Sequence, residues 1–303
     1  MQRATFDKFF AESAGRHLVR AVRDALTEDG PDLTSRAVFA QDDRMTARVV
    51  AKEESVLAGV YIAAMVLEEC AALEPGEWYC RRLADDGERV AAGRIVLEID
   101  GSARIILRSE RVILNFITHL SGIATLVSRY ADALRGTGVR LLDTRKTLPG
   151  LRYPEKYAVL MGGGCNHRKN LSEMLMLKDT HIDASGGITR AVERLRETYA
   201  EIPPIEVECR TLDEVREAVA CKVERVMLDN MLESGEETLM RQALALVPQE
   251  IEVEVSGGVT LENIGVIAAL GGARKPDYIS VGRLTHSAPA ADYSMRVALA
   301  GRE

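Results

Sequence analysis

The second half of the chain repeats one pattern: a short apolar run that stops at a polar or glycine residue, then a helical stretch, then another such run. The runs are Val139–Asp143, Met174–Lys178, Ile205–Glu208, Arg225–Asp229, Ile251–Ser256 and Tyr278–Gly282. Short apolar runs bounded by turns read as buried strands. The intervening stretches carry helix signals. Ile188, Val192, Leu195 and Tyr199 form one apolar stripe, and Thr211-x-x-Glu214 and Ser234-x-x-Glu237 have the form of capping boxes. Thr260 is placed to cap a helix running to Leu270. Repeated βα units give a parallel sheet, because each crossover helix returns the chain to the same end. The fold class is therefore α/β: a βα barrel with fewer than the usual strands, or an open doubly wound sheet. Periodicity alone does not separate the two.

The first third is mixed. Phe6 to Leu26 has apolar residues at helical spacing and ends at Asp29-Gly30-Pro31. Met45 to Ala51 alternates as a strand, and Val56 to Leu73 reads as a helix stopped by Glu74-Pro75-Gly76. Ile95–Ile99 and Arg104–Leu107, joined by Asp100-Gly101, read as a β-hairpin. A helical segment then runs from about Ser109 to Leu134, in which Ser121-Gly122 offers a break.

Composition excludes some functions. The formal net charge is -7, which disfavours a nucleic-acid partner or an anionic membrane surface. The 5 cysteines form no CxxC pair and no zinc spacing, as expected of reduced thiols. The start of the chain has no signal-like apolar region, and no uncharged apolar run reaches the roughly 20 residues of a membrane helix. A cytoplasmic protein is expected.

Against that acidic background the cations are concentrated. Arg145, Lys146 and Arg152 surround the Pro149-Gly150 turn, His167 and Arg168 follow Gly162-Gly163-Gly164, and Lys178 ends a strand. Several cations converging at strand ends require an anionic ligand, and arginine suits carboxylate or phosphate by bidentate pairing. Glu208 and Asp229 each end a strand, one βα unit apart. Such a pair suits a divalent metal such as Mg²⁺, or it neutralises the cations by salt bridges. Ser256-Gly257-Gly258 precedes the helix expected after Thr260, and Gly282 ends the last strand; both places suit a phosphate. Cys165, His17, His119 and His181 read as structural, and His286 stays open.

Taken together these motifs resemble quinolinate phosphoribosyltransferase. The resemblance rests on Asp143-Thr144-Arg145-Lys146-Thr147-x-Pro149-Gly150-Leu151-Arg152, Gly162-Gly163-Gly164-x-Asn166-His167-Arg168 and Leu177-Lys178-Asp179-x-His181. It extends to Ser109–Phe116 and Leu120–Thr125 upstream. Downstream it covers Glu206-Val207-Glu208, Met227–Asn230, Glu254-x-Ser256-Gly257-Gly258 and Val281-Gly282-x-Leu284-Thr285-His286. Lys169-Asn170 and Thr180 depart from the pattern without removing a ligand.

The resemblance implies an incomplete α/β barrel over residues 118–287. It implies an N-terminal α/β sandwich over 1–117 that residues 288–303 rejoin. It implies phosphoribosyl transfer from phosphoribosyl pyrophosphate (PRPP) to quinolinate with Mg²⁺, releasing CO₂ and pyrophosphate and forming nicotinate mononucleotide on the way to NAD. By position, Thr144, Arg145, His167, Arg168 and Lys178 would hold the quinolinate carboxylates. Arg111 would join them from the partner subunit of a homodimer. Lys146 would face the pyrophosphate, and Glu208 and Asp229 the ribose and metal. Ser256, Gly257, Gly258, Gly282 and His286 would take the 5′-phosphate. The alternatives are a related transferase for another acidic heterocycle, of the kind linked to molybdenum transport, and a non-catalytic protein that binds a diacid or nucleotide.

Overall fold

The computed structural model describes residues 2–232 and 237–299. In chain order its elements are α1 (Gln2–Phe9), α2 (Glu12–Asp29), α3 (Leu33–Val38), β1 (Arg44–Ala51), β2 (Ser55–Val56), α4 (Ile62–Ala71), β3 (Trp78–Arg82), β4 (Arg89–Val90), β5 (Ile95–Ser102) and α5 (Ala103–Ala133). There follow β6 (Arg140–Leu142), α6 (Arg152–Met161), β7 (Leu175–Leu177), α7 (Asp179–Ser185), α8 (Ile188–Thr198), β8 (Ile205–Cys209), α9 (Leu212–Ala220) and β9 (Arg225–Asp229). The last are α10 (Glu237–Leu246), β10 (Glu252–Ser256), α11 (Ile264–Ala269), β11 (Tyr278–Ser280), α12 (Arg283–His286) and β12 (Tyr293–Leu299).

The chain divides into two compact units. One comprises Met1–Ser128, Thr147–Gly163 and Arg283–Glu303; the other comprises Arg129–Lys146 and Gly164–Gly282. The first is built on an antiparallel sheet in the order β12-β1-β5-β3. The chain end rejoins it as expected, with Met45 opposite Leu299 and Ala51 opposite Tyr293. Beyond residues 1–117 and 288–303 it takes in residues 118–128 of α5, the segment 147–163 with α6, and residues 283–287. Tyr157 on α6 is fully buried, packs edge-on to Phe6, and donates its hydroxyl proton to Asp86 at 3.0 Å.

Several local expectations change in this unit. The predicted hairpin at Asp100-Gly101 is one continuous strand, β5. Gly101 is there because β3 passes too close for a side chain: a Cβ would lie 2.4 Å from the Glu77 carbonyl oxygen. The apolar residues that suggested a return strand begin α5 instead. That helix is not broken at Ser121-Gly122. A Cβ on Gly122 would lie 2.1 Å from the Pro289 oxygen, so glycine serves close packing. Ser121 Oγ accepts from the Ala58 amide at 2.9 Å. The first predicted helix is two, with Phe10-Ala11 between α1 and α2, and the helix expected from Val56 begins at Ile62. One window of α5 is long and apolar enough to cross a membrane, but 67% of that window is buried within the protein.

The second unit holds all six predicted strands in one parallel sheet, ordered β6-β11-β10-β9-β8-β7. Strands β7 to β11 pair in sequence, and β11 then pairs with β6, so the sheet curls toward closure but stays open between β6 and β7. A single parallel bridge, Leu142 to Cys165, lines the β6 side of that gap. The predicted cap at Thr211 holds, accepting from the Glu214 amide at 3.2 Å. The one at Ser234 lies outside the described residues. Thr260 does not cap α11; its amide donates to Asn263 Oδ1 at 2.8 Å, one turn before the helix starts.

Asp86 gives the first unit a pH signature. It is wholly buried, and burial pushes its carboxyl up to about 7, against hydrogen bonds from the Val60 amide and Tyr157. The folded chain therefore keeps a proton that the unfolded chain releases near pH 4. The stability contributed by that proton is complete below about pH 4 and is lost as pH rises through about 7. Asp86→Asn cannot ionise, so its unfolding midpoint should gain on the wild type across that window. Thermal melts from about pH 5 to pH 8 check this, and a constant gap between the two proteins would count against it.

Candidate active site

The second unit gathers the predicted residues along one end of its sheet, because in a parallel sheet every strand ends on the same side. Read across the sheet, the strand ends bring Thr144, Arg145 and Lys146 after β6, Gly282 after β11, Ser256 and Gly257 at β10, Asp229 at β9, Glu208 on β8 and Lys178 after β7. The loop with Asn166, His167 and Arg168 lies at the gap, tied to β6 through the Cys165 bridge.

Asp143, fully buried, fixes that loop. Its Oδ1 accepts from the His167 amide at 2.8 Å and its Oδ2 from Asn166 Nδ2 at 2.7 Å, while its own amide donates to the Cys165 oxygen at 3.1 Å. Arg168 reaches the other edge. Its Nη1 donates to the Met174 oxygen at 3.0 Å and its Nη2 lies 3.6 Å from Met176 Sδ. Burial, then the nearby Arg145 guanidinium, pull the Arg168 pKa below its ordinary value. Two half-buried guanidiniums close enough to repel each other mark a place for an anion.

The acids form the next group. Burial and then the Glu208 charge raise the Asp229 carboxyl, whereas Lys178, a hydrogen bond from Ser256, and Lys146 lower it. These five side chains therefore share one locality. Glu208 accepts from Lys178 in a short ion pair, so part of the neutralising role weighed for the acids is present. Both carboxylates supply the hard oxygen donors that Mg²⁺ prefers, so the residue types fit that ion.

At β10 the backbone takes an unusual course. Gly257 has φ 87, Gly258 φ 62, and Asn230 alongside φ 55. A Cβ on Gly257 would lie 1.9 Å from Asn230 Oδ1, whereas one on Gly258 would meet nothing within 4 Å. Such positive-φ backbone lets the chain pass closely beside Asn230 without side chains on Gly257 and Gly258.

Two predicted residues are elsewhere. Arg111 and His286 belong to the first unit, where both are exposed; His286 Nδ1 lies 2.7 Å from Ser287 Oγ. His167 differs in another way. The ring is buried, with 6% exposure, and its Nε2 lies 2.9 Å from Glu206 and 3.3 Å from Glu254, carboxylates that had no part in the expected site.

The architecture has direct counterparts. The model of the quinolinate phosphoribosyl transferase C-terminal domain matches residues 123–296, and that of its N-terminal domain matches residues 32–121. The chain belongs to the quinolinate phosphoribosyltransferase family. It is 40% identical over 298 residues to the chloroplastic nicotinate-nucleotide pyrophosphorylase [carboxylating] of Arabidopsis thaliana, covering 92% of this chain and 82% of that one. It is 38% identical over 269 residues to the Mycobacterium leprae enzyme of that name, covering 88% and 92%. The crystal structure of NadC from Streptococcus pyogenes superposes with a TM-score of 0.85 at 38% identity, covering 95% of this chain and 99% of that one.

The sequence reading of this family member assigned no role to Glu206, Arg225 or Glu254, all buried. Burial and the Glu254 charge push the Glu206 carboxyl up to about 7, and Arg225 Nη1 stands 3.6 Å from Glu254. The signal was available. Ile205-Glu206-Val207-Glu208-Cys209 and Glu252-Val253-Glu254-Val255-Ser256 alternate charged and apolar residues, whereas a parallel strand buried between apolar layers is apolar on both faces. Here one face of the parallel sheet is polar.

The glycine geometry predicts a graded response. Gly257→Ala adds a backbone-proximal clash to positive φ and should cost about 2–4 kcal/mol, while Gly258→Ala should cost only about 1–2 kcal/mol of backbone strain. Thermal unfolding of the two variants side by side measures the difference.

Proposed function

We propose that the chain transfers the phosphoribosyl group of PRPP to the ring nitrogen of quinolinate, with loss of CO₂, forming nicotinate mononucleotide and pyrophosphate in the route to NAD. The observation that carries this reading is the mutual proximity of the Arg145 and Arg168 guanidiniums at the strand ends. Quinolinate brings two planar carboxylates, which two guanidinium forks match. Thr144, His167 and Lys178 complete the set within the chain. The partner subunit's Arg111 joins them in a homodimer. The same proposal makes the enzyme cytoplasmic.

Ser256, Gly257, Gly258 and Gly282 receive the 5′-phosphate through backbone amides and the serine hydroxyl, with His286 assigned to the same group. Lys146 faces the pyrophosphate. Glu208 and Asp229 would hold Mg²⁺, which would supply charge neutralisation for the leaving group. As pyrophosphate leaves, positive charge grows on the ribose, and the carboxylates of Glu208 and Asp229 stabilise it. The ring nitrogen attacks the anomeric carbon and becomes cationic. Its positive charge then stabilises the electron pair left on the adjacent ring carbon when the carboxylate departs as CO₂, and that carbon takes a proton to form the ring C–H.

A paired assay tests this. With PRPP and Mg²⁺, quinolinate should give CO₂ and nicotinate mononucleotide, nicotinate should give none, and chelation of the metal should stop the reaction. Product from nicotinate would mean that the second carboxylate is not read. Silence with both substrates, in a folded protein, would overturn the reading in favour of another acidic heterocycle or a binding role.

The dimer has its own test. Arg111→Ala and Lys178→Ala subunits, each inactive alone, should regain about a quarter of wild-type activity when mixed into heterodimers, because one of the two composite sites is then intact in about half the molecules. No recovery in isolated heterodimers would show that Arg111 does not act across the interface.

A further inference from the structure

Among the described residues, Glu12, Lys222 and Asn230 are the non-glycine residues with positive φ, and of these only Asn230 directly follows a strand. A left-handed backbone disfavours a side chain, although asparagine tolerates it better than most residues. Strain of this kind gathers where a site needs an unusual geometry.

The geometry gained here is specific. Asp229 pairs with Ser256 in the last rung that joins β9 to β10. Asn230 comes next, and its backbone amide donates to the Ser256 oxygen at 3.0 Å. In an extended strand, consecutive side chains point to opposite faces and do not meet. The left-handed bend at Asn230 breaks that alternation, and its Nδ2 donates to Asp229 Oδ2 at 2.8 Å. An ionised carboxylate only accepts, so the amide nitrogen faces Asp229 and the amide oxygen is turned away from it. That oxygen lies against Gly257, where a Cβ would come within 1.9 Å of it. The missing side chain at Gly257 is what leaves room for the Asn230 amide in this orientation.

Asp229 has reason to need such support. The Glu208 carboxylate stands close enough to repel it, and Glu208 has its own cation in Lys178. Asp229 instead receives two neutral donors, the Asn230 amide and the Ser256 hydroxyl. A neutral donor fixes a carboxylate without cancelling its charge, which stays available to a cation. With Oδ2 engaged, the plane of the carboxylate is set.

Resting on the function proposed above, we propose that Asn230 is a positioning residue for Asp229. Its left-handed backbone brings its amide onto Oδ2, Gly257 makes the space, and the carboxylate is thereby oriented for the ribose and metal of PRPP.

The rival explanation is that asparagine is there only because it tolerates this backbone. Asn230→Gly separates the two, because glycine takes the conformation freely but has no amide to donate. The variant should unfold within about 3 °C of the wild type, and calorimetry should find its quinolinate dissociation constant changed less than about twofold. Its kcat/KM for PRPP should fall about tenfold. Asn230→Asp also tolerates the backbone, but it cannot donate when ionised and brings a like charge to Asp229, so it should fall further. Wild-type kinetics in the glycine variant would overturn the inference. So would a loss of stability and quinolinate binding together, which would make Asn230 a residue of the fold alone.

A second readout does not depend on turnover. In crystal structures free of substrate, the Asp229 carboxylate should hold one orientation in the wild type and leave it in Asn230→Gly. An unmoved carboxylate would overturn the inference. A wild-type protein that shows no turnover with quinolinate and PRPP would count instead against the proposed function, and the crystallographic comparison would still decide the role of Asn230.

Discussion

Everything at the strand ends of the second unit depends on Asp143. Its two carboxylate oxygens accept from Asn166 and from the His167 amide, and its own amide donates to Cys165. One side chain, fully buried and immediately before Thr144-Arg145-Lys146, thereby joins the first cation cluster to the second. Hydrogen bonds to a buried carboxylate are among the strongest neutral-donor contacts available, and losing a partner there leaves the charge uncompensated. The pairing of Arg145 with Arg168 is costly in isolation. It persists because the backbone that carries both guanidiniums is anchored at a point neither can move.

The six strands and the residues that end them were legible because each strand is a short apolar run stopped by a polar or glycine residue, which is the form imposed by burial on one side and an exposed end. Where the reading failed, glycine was the usual reason. Gly101 and Gly122 resemble a turn and a helix break, yet each marks a close backbone approach made by a segment distant in sequence. No local pattern reports such a neighbour. The assignment of α6 to the first unit is of the same kind. Tyr157 is drawn there by Phe6 and Asp86, far from it in the chain.

The candidate site was legible in its rim and not in its floor. Arg145, Lys146, Lys178, Glu208, Asp229 and Ser256 stand at strand ends, where an ionisable side chain has an evident use. Glu206 and Glu254 stand inside strands, and reading those strands simply as apolar runs hid the alternate charged positions. The surroundings of His167 follow from the same omission: the two carboxylates beside its ring come from β8 and β10, far from it in sequence.

The gap between β6 and β7 has a consequence of another kind. A closed ring of strands resists deformation through continuous hydrogen bonding, but this sheet has two edges, linked by Arg168, which reaches from the loop beside β6 to Met174 ahead of β7. A dianion clasped by Arg145 and Arg168 would act as a removable cross-link between those edges. Rigidity of the unit would then be set partly by ligand concentration, and the empty and loaded proteins would differ most in how freely this seam breathes.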